Sequence, residues 1–85
     1  MTDLQKQFET AAADSKNLKE RPDDDILLKI YALYKQGSVG DVEGSRPSFP
    51  DMIGRAKYDA WSKLKGLSKE DAMGQYVVLI NSLKG

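Results

Sequence analysis

Cysteine and histidine are both missing from this chain of 85 residues. Without cysteine the chain has no disulfide and no thiolate metal site, so its stability must come from one packed core. Without histidine it lacks the commonest general base and metal ligand, and no imidazole can activate its serines. No glycine-rich phosphate motif of Walker or Rossmann spacing is present either. We therefore expect no enzyme, no catalytic residue, no metal site and no cofactor.

An excess of charge of one sign is also missing. Lysine and arginine total 13, aspartate and glutamate total 13, and the net charge is zero. Non-specific nucleic-acid binders usually carry a strong basic excess, so no nucleic-acid partner is expected. The longest apolar run, residues 76–80, is too short to span a membrane, and the first residues do not form a signal peptide. We expect a soluble, cytoplasmic monomer without stable membrane insertion.

Apolar residues at three-to-four spacing predict helices along most of the chain. The first helix is expected from about Asp3 to Ser15. The second is expected to begin near Pro22, where the acidic residues 23–25 suit the positive end of a helix dipole. Gly37 is predicted to end this second helix.

Two glycines and two prolines in residues 38–50 predict a long loop, of a kind that is often functional. A third helix is expected to follow and to end at Gly66, and Ser68 is predicted to cap a fourth. Short connections favour antiparallel neighbours, whereas the long loop lets helices two and three lie parallel. The prediction is an all-α, up-down-down-up four-helix bundle, with residues 1–85 as a single domain.

Tyr31, Tyr34 and Lys35 stand at i, i+3 and i+4, which predicts that a helix places them on one face. Two rings and an ammonium group suit a flat, phosphorylated ligand, because rings stack on a base and a cation neutralises phosphate. The same residues could instead form the edge of a core with a lysine reaching past it to water.

A second cluster, residues 57–61, repeats this chemistry with Lys57, Tyr58 and Trp61. Lys57 and Trp61 stand at i and i+4, so a cation–π pair could account for them without a ligand. Tyr76 lies in the apolar stripe of helix four, where its ring is expected in the core with its hydroxyl near a cavity. Lys16 and Arg21 flank the first connection, and both could simply be solvated.

Several longer stretches resemble one known family. Residues 31–36 read YALYKQ, residues 54–61 read GRAKYDAW, and residues 64–73 read LKGLSKEDAM. Together with residues 39–41 and the Arg46-Pro47 pair, they are similar to the acyl-CoA-binding protein family over nearly the whole chain. The resemblance implies an up-down-down-up helical bundle that carries long-chain acyl-CoA thioesters without chemistry of its own. Acyl-CoA-producing or -consuming enzymes are then possible partners.

The resemblance also implies a role for individual residues. Tyr31 would stack on adenine, Lys35 and Lys57 would contact the 3′-phosphate region, and Leu27 and Leu28 would line the acyl groove. The whole expected set of acyl-CoA-binding residues is Lys16, Arg21, Leu27, Leu28, Tyr31, Tyr34, Lys35, Lys57 and Tyr76.

The chain departs from the family's usual pattern at three positions. Gly37 stands where alanine is usual, Ile53 where lysine is frequent, and Gly74 where a helix former is usual. Gly74 is expected to cost helix four up to about 1 kcal/mol. Two other classes of function remain alternatives at this point, a helical protein-interaction adaptor and a helix-turn-helix DNA binder.

Overall fold

Helices account for most of the chain in a computed structural model that describes residues 2–84. Four α-helices are present: α1 (Thr2–Asp14), α2 (Asp24–Ser38), α3 (Met52–Ser62) and α4 (Lys69–Lys84). A short 3₁₀ turn, Ser15–Asn17, follows α1. No β-strand occurs within residues 2–84, and the prediction of an all-α fold with four helices and a long α2–α3 connection is confirmed.

The core lies where α4 packs against both α1 and α2, while α3 packs against the other side of α2. Side chains spaced three, four or eight residues apart form its centre, as expected for amphipathic helices. The buried members of this cluster are Phe8, Ala11, Leu33, Ala72, Tyr76 and Ile80. Because α3 contributes little to this core, the α2–α3 contact is left as a separate, more open seam.

Helix α2 ends later than the sequence predicts. Gly37 is buried inside the helix, which continues to Ser38, so the prediction that it terminates the helix is wrong. The backbone turns at Gly40, whose φ of 101° lies in the left-handed region that favours glycine. Gly37 instead permits close packing, since a Cβ there would lie 3.1 Å from the Phe8 ring.

Helix α3 ends earlier than predicted, at Ser62, and residues 63–66 form a turn before Leu67. Gly66 has a φ of 95°, so it completes the turn rather than the helix. The predicted start of α4 is confirmed, because the Ser68 hydroxyl accepts a hydrogen bond of 3.0 Å from the Asp71 amide.

Candidate ligand groove between helices two and three

A groove of about 480 Å³ runs along the seam between α2 and α3. Its size falls within the range of about 300–1,000 Å³ that is typical of small-molecule sites. Its lining comes from the two helices and from Arg21, which precedes α2. The lining residues are Arg21, Asp24, Leu27, Leu28, Tyr31, Met52, Ile53, Ala56 and Lys57.

The spacing of these residues explains why they share one groove. On α2 the lining positions 24, 27, 28 and 31 follow the three-to-four period of a helix face, and on α3 positions 52, 53, 56 and 57 do the same. Leu27, Leu28 and Ala56 are half-buried and give the walls an aliphatic character. Along most of its length the groove therefore offers apolar surface to a ligand.

A lysine and a tyrosine face each other across the groove. The Nζ atom of Lys57 lies 5.2 Å from the centroid of the Tyr31 ring, which is within cation–π distance. Tyr31 is half-buried and Lys57 is exposed. The pair presents a flat ring and a mobile positive charge side by side, which is the combination that an aromatic, phosphorylated group requires.

Lys35 stands one turn beyond Tyr31 on α2, but it does not line the groove. Its Nζ atom lies 5.3 Å from the centroid of the Trp61 ring. The pairing of cations and rings therefore differs from the one that spacing suggested: Trp61 pairs with Lys35, and Lys57 pairs with Tyr31. Spacing within α3 could not show this, because each cation meets a ring on the other helix.

Arg21 and Lys16 occupy different surroundings. Arg21 lines the groove near its other end, where its guanidinium nitrogen lies 3.5 Å from the Asp24 carboxylate in an exposed ion pair. Such a pair contributes little to stability and leaves the arginine free to turn toward a ligand. Lys16 is exposed within the 3₁₀ turn and does not line the groove.

Tyr34 does not line the groove that Tyr31 lines, and its packing agrees with the alternative reading of a core edge. Its ring stacks on Phe8, with centroids 5.5 Å apart, and tilts toward Tyr76 at 5.8 Å. Tyr34 is 41% exposed and lines a different cavity, between α1, α2 and α4. Positions 31 and 34 lie about 60° apart around α2, so the Tyr34 ring can meet α1 while Tyr31 meets α3.

Tyr76 is a core residue, as its place in the apolar stripe predicts. It is 2% exposed and meets the Phe8 ring edge-on, at a centroid distance of 5.1 Å. Burial raises the pKa of the Tyr76 hydroxyl, and a hydrogen bond with Ser15 partly opposes that effect. The hydroxyl thus stays protonated near neutral pH and is not a base.

A polar network fastens the long loop beside the groove. The Trp61 indole donates to the Gly40 carbonyl at 2.8 Å and to the Gln36 side-chain oxygen at 3.1 Å. Gln36, which is fully buried, in turn donates to the Asp41 carboxylate at 2.9 Å and to the Leu67 carbonyl at 2.7 Å. The loop is therefore tied to α2, to α3 and to the turn before α4.

Sequence reasoning missed Gln36 as the centre of this network. The only signal was a polar residue at the end of an otherwise apolar helix face, which does not reveal its partners Asp41, Trp61 and Leu67. Arg46 also holds the loop, because its guanidinium group donates two hydrogen bonds of 2.8 Å to the Asp59 carboxylate. The Tyr58 hydroxyl donates to the Gly44 carbonyl at 3.0 Å.

A larger depression, of about 580 Å³, lies between α2 and α4. Glu70 and Asp71 line it with a single lysine, Lys29, and no aromatic ring. This charge pattern disfavours an anionic, flat ligand, so the α2–α3 groove is the better candidate for one. Within residues 2–84, no group of histidine, cysteine, aspartate or glutamate could hold a metal ion. No helix in that range is long and apolar enough to cross a membrane.

Comparison with known proteins gives consistent results. Residues 5–80 match the family model described as acyl CoA binding protein. An acyl-CoA-binding protein homolog of Manduca sexta is 51% identical over 81 residues, which is 94% of this chain and 90% of the relative. The acyl-CoA-binding protein homolog 1 of Caenorhabditis elegans is 50% identical over 76 residues, with 89% and 88% covered.

Solved structures agree with the sequence comparison. The crystal structure of Oryza sativa acyl-CoA-binding protein 2 matches with a TM-score of 0.90 and 39% identity, covering 94% of this chain and 89% of that one. The crystal structure of ACBP from Moniliophthora perniciosa matches with a TM-score of 0.87 and 36% identity, covering 93% and 78%. The chain belongs to the acyl-CoA-binding protein family.

Proposed function

We propose that the protein binds medium- to long-chain fatty acyl-CoA thioesters in the α2–α3 groove and carries them without catalysis. The observation that supports this best is the groove itself, in which an aliphatic trough carries a lysine–tyrosine pair at one end. Acyl-CoA likewise has an apolar part and a charged part, because its hydrocarbon tail is joined to an anionic nucleotide. Membership of a family named for acyl-CoA binding supports the same function.

The tail would lie along the walls formed by Leu27, Leu28 and Ala56. Each methylene group removed from water contributes about 0.8 kcal/mol, so a long tail supplies most of the binding free energy. Met52 and Ile53, which are 61% and 71% exposed, extend the apolar lining beyond the half-buried walls. These two side chains would lose exposed surface when a tail fills the groove.

The head would lie at the Tyr31–Lys57 end. The Tyr31 ring would offer a face to adenine, and the Lys57 ammonium group beside it would pair with a phosphate oxygen. Arg21, the other cation of the lining, lies near its other end, so its role in binding, which the family resemblance implies, stays a prediction. Because all these cations are exposed, their contribution should weaken with salt.

Four residues of the expected set lie outside the lining of this groove: Lys16, Tyr34, Lys35 and Tyr76. Their roles in binding, which the family resemblance implies, stay predictions. Lys35 has an alternative explanation, since its charge already stacks over Trp61. Tyr76 has another, since its ring belongs to the core.

Carriage without reaction fits the composition of the whole chain, which has neither histidine nor cysteine to attack a thioester. The protein would act as one acyl-CoA-binding domain and as a cytoplasmic monomer. It would hold the thioester away from water and membranes, form a pool of it and pass it to enzymes that make or consume acyl-CoA. No metal or further cofactor is needed for that role.

Calorimetric titration with palmitoyl-CoA, free CoA and palmitate tests this proposal. We expect one palmitoyl-CoA per chain, and much weaker binding of free CoA and of palmitate, because each of these fills only part of the groove. Equal affinity for palmitate and palmitoyl-CoA would overturn the proposal, since the head end would then contribute nothing. Failure of all three to bind would favour a protein-interaction adaptor.

A further inference from the structure

A smaller cavity, of about 330 Å³, lies where α2 meets the end of α3 and α4. We call it the side cavity. Its apolar lining comes from five side chains, of which Ala32 and Leu33 are buried and the others half-buried. These five are Leu28, Ala32, Leu33, Ala60 and Leu64. Exposed polar side chains such as Asp25 and Lys63 also line it, so the side cavity is an apolar recess with a polar edge.

The side cavity adjoins the proposed acyl groove at one side chain. Of the described residues, Leu28 alone lines both spaces. The positions around it carry alanines: Ala56 lines the groove, whereas Ala32 and Ala60 line the side cavity. Because an alanine offers only a methyl group, the bulk that separates the two spaces comes from Leu28.

Leu28 can change its rotamer more easily than a core residue. It is half-buried and lies outside the core cluster that α1, α2 and α4 share. Side chains with access to water exchange between staggered rotamers rapidly. A turn of the Leu28 side chain would therefore join the groove to the side cavity without a movement of either helix.

The groove is shorter than a long acyl tail. Its lining on α2 runs from Asp24 to Tyr31, which is about 10 Å at the rise of an α-helix. An extended twenty-carbon tail measures roughly 24 Å, since its C–C bonds are about 1.5 Å long. The remainder of such a tail must leave the groove or turn into another space.

The end of the groove away from Tyr31 offers the remainder little shelter. Arg21 and Asp24 form an ion pair there, with side chains that are 74% and 86% exposed. Met52 and Ile53 are 61% and 71% exposed, so methylene groups laid against them would stay partly wet. The hydrophobic effect grows with the apolar area removed from water, which favours the recess walled by buried side chains.

We propose that the side cavity receives the end of acyl tails that are longer than the groove, and that Leu28 controls entry to it. The Leu28 side chain would cover the side cavity when the tail is short and turn aside when the tail is long. Leu28 would thus be a residue that determines specificity for chain length. This inference rests on the proposed function, because it requires the acyl tail to lie in the α2–α3 groove.

Titration of a short and a long ligand against a variant with a filled side cavity tests the proposal. Ala60→Leu adds bulk to the side cavity and leaves the lining of the groove unchanged. Octanoyl-CoA, whose tail is roughly 9 Å long and fits the groove, should bind this variant as it binds wild type. A twenty-carbon acyl-CoA should bind at least about tenfold more weakly than it binds wild type, as the loss of two buried methylene groups predicts. Ala13→Leu is the matched control, because Ala13 is exposed on α1, and it should bind both ligands like wild type.

The role of Leu28 is tested by the ratio of the two affinities. Leu28→Ala removes the side chain that has to turn aside, so the affinity for the twenty-carbon ligand relative to octanoyl-CoA should exceed the wild-type ratio. A loss of groove wall affects both ligands and cancels in this ratio. An unchanged or lower ratio would show that Leu28 does not control entry.

A measurement on wild-type protein does not depend on the folding of a variant. Nuclear Overhauser contacts from the terminal methyl group of the bound twenty-carbon tail should reach the methyl groups of Ala60 and Leu64, which line the side cavity. Contacts to Met52 and Ile53 alone would overturn the proposal, since the tail would then leave by the open end of the groove.

The outcomes for wild type separate this inference from the proposed function. If wild type binds neither ligand, the proposed function fails and the inference fails with it. If wild type binds both ligands, and Ala60→Leu binds the twenty-carbon ligand equally well, the groove remains the acyl site and the side cavity has no part in binding.

Discussion

At the scale of single residues, the head end of the groove depends on the contact between Tyr31 and Lys57. This contact joins residues that are distant in sequence and on different helices, so no local pattern predicts it. What the sequence does predict is the kind of side chain, two rings and two cations near one another. Which cation meets which ring is decided by the packing of α3 against α2, which places Lys57 over Tyr31 and Lys35 over Trp61.

Replacing Lys57 with alanine should weaken palmitoyl-CoA binding by roughly tenfold to a hundredfold. The physical reason is the loss of a charge-assisted hydrogen bond to phosphate, which is worth about 1.5–3 kcal/mol. Calorimetry measures the change, and Lys29→Ala serves as the control, because Lys29 lies on α2 but outside the groove. The effect should shrink for a ligand without the 3′-phosphate; an unchanged loss would contradict the assigned contact.

Lys35→Ala, measured in the same way, tests whether Lys35 contacts the ligand. If Lys35 contacts the ligand as the family resemblance implies, its loss should resemble that of Lys57. If its charge serves only the Trp61 ring, binding should match wild type, and the role carried over from the family would be wrong for this position.

At the scale of helices, composition and spacing predict the number of elements well and their ends less well. Spacing of apolar residues identifies all four helices because each buries one continuous stripe. The prediction at Gly37 was wrong because glycine occurs both at helix ends and where two elements pack closely. Only the contact with the Phe8 ring shows that close packing is the reason for this glycine. The prediction that α3 ends at Gly66 was wrong because the helix ends at Ser62 and a turn follows it.

Gly74 provides a test of helix propensity within α4. A Cβ added there would meet nothing within 4 Å, so Gly74→Ala should stabilise the protein by up to about 1 kcal/mol. Gly66→Ala should destabilise it, because Gly66 has a φ of 95° that alanine rarely adopts. Urea unfolding followed by circular dichroism checks both variants. A loss of stability in Gly74→Ala would contradict the presence of open space for a Cβ at this position.

The turn between α3 and α4 should be sensitive to acid through Asp41. Hydrogen bonds from the Gly66 amide and then from the Gln36 side chain lower the pKa of Asp41. Because the folded-state pKa is the lower one, this stabilisation is present above the unfolded value of about 3.9 and is lost as pH falls through the folded value. The melting temperature should therefore decline in that acidic window.

The variant Asp41→Asn isolates that contribution, since an amide oxygen still accepts hydrogen bonds but does not titrate. Its melting temperature should fall less steeply with acid than that of wild type. Asp3→Asn makes the same change of charge at an exposed position of α1 and should keep the wild-type slope. Parallel slopes for Asp41→Asn and wild type would show that Asp41 does not control the acid response.

At the scale of the whole molecule, the groove exists because α3 stands apart from the core that α1, α2 and α4 share. The prediction of parallel α2 and α3 follows from the length of the loop between them. The ties from Gln36 to Leu67, from Asp41 to Gly66 and from Arg46 to Asp59 could not be predicted, because each joins segments that are far apart in sequence. The Lys84 ammonium group lies 2.9 Å from the Asp14 carboxylate and joins α1 to α4 on the far side of the bundle.

Affinity should rise with acyl chain length until the groove is full and then level off. Two buried methylene groups should give on the order of a tenfold gain, at about 0.8 kcal/mol each. Leu27→Asp places a charge in the aliphatic wall and should flatten this dependence while it spares the nucleotide contribution. Titration of eight- to twenty-carbon acyl-CoAs against both proteins checks this; a wild-type series without length dependence would mean that the tail is not bound.

The location of the ligand is tested most directly by amide chemical-shift mapping during titration with palmitoyl-CoA. The largest changes should occur at Leu27, Leu28, Tyr31 and Lys57, which line the α2–α3 groove. Amides around the depression at Gly74 should change little. Large changes at that depression, with the groove residues unaffected, would contradict the assignment of the groove as the acyl-CoA site.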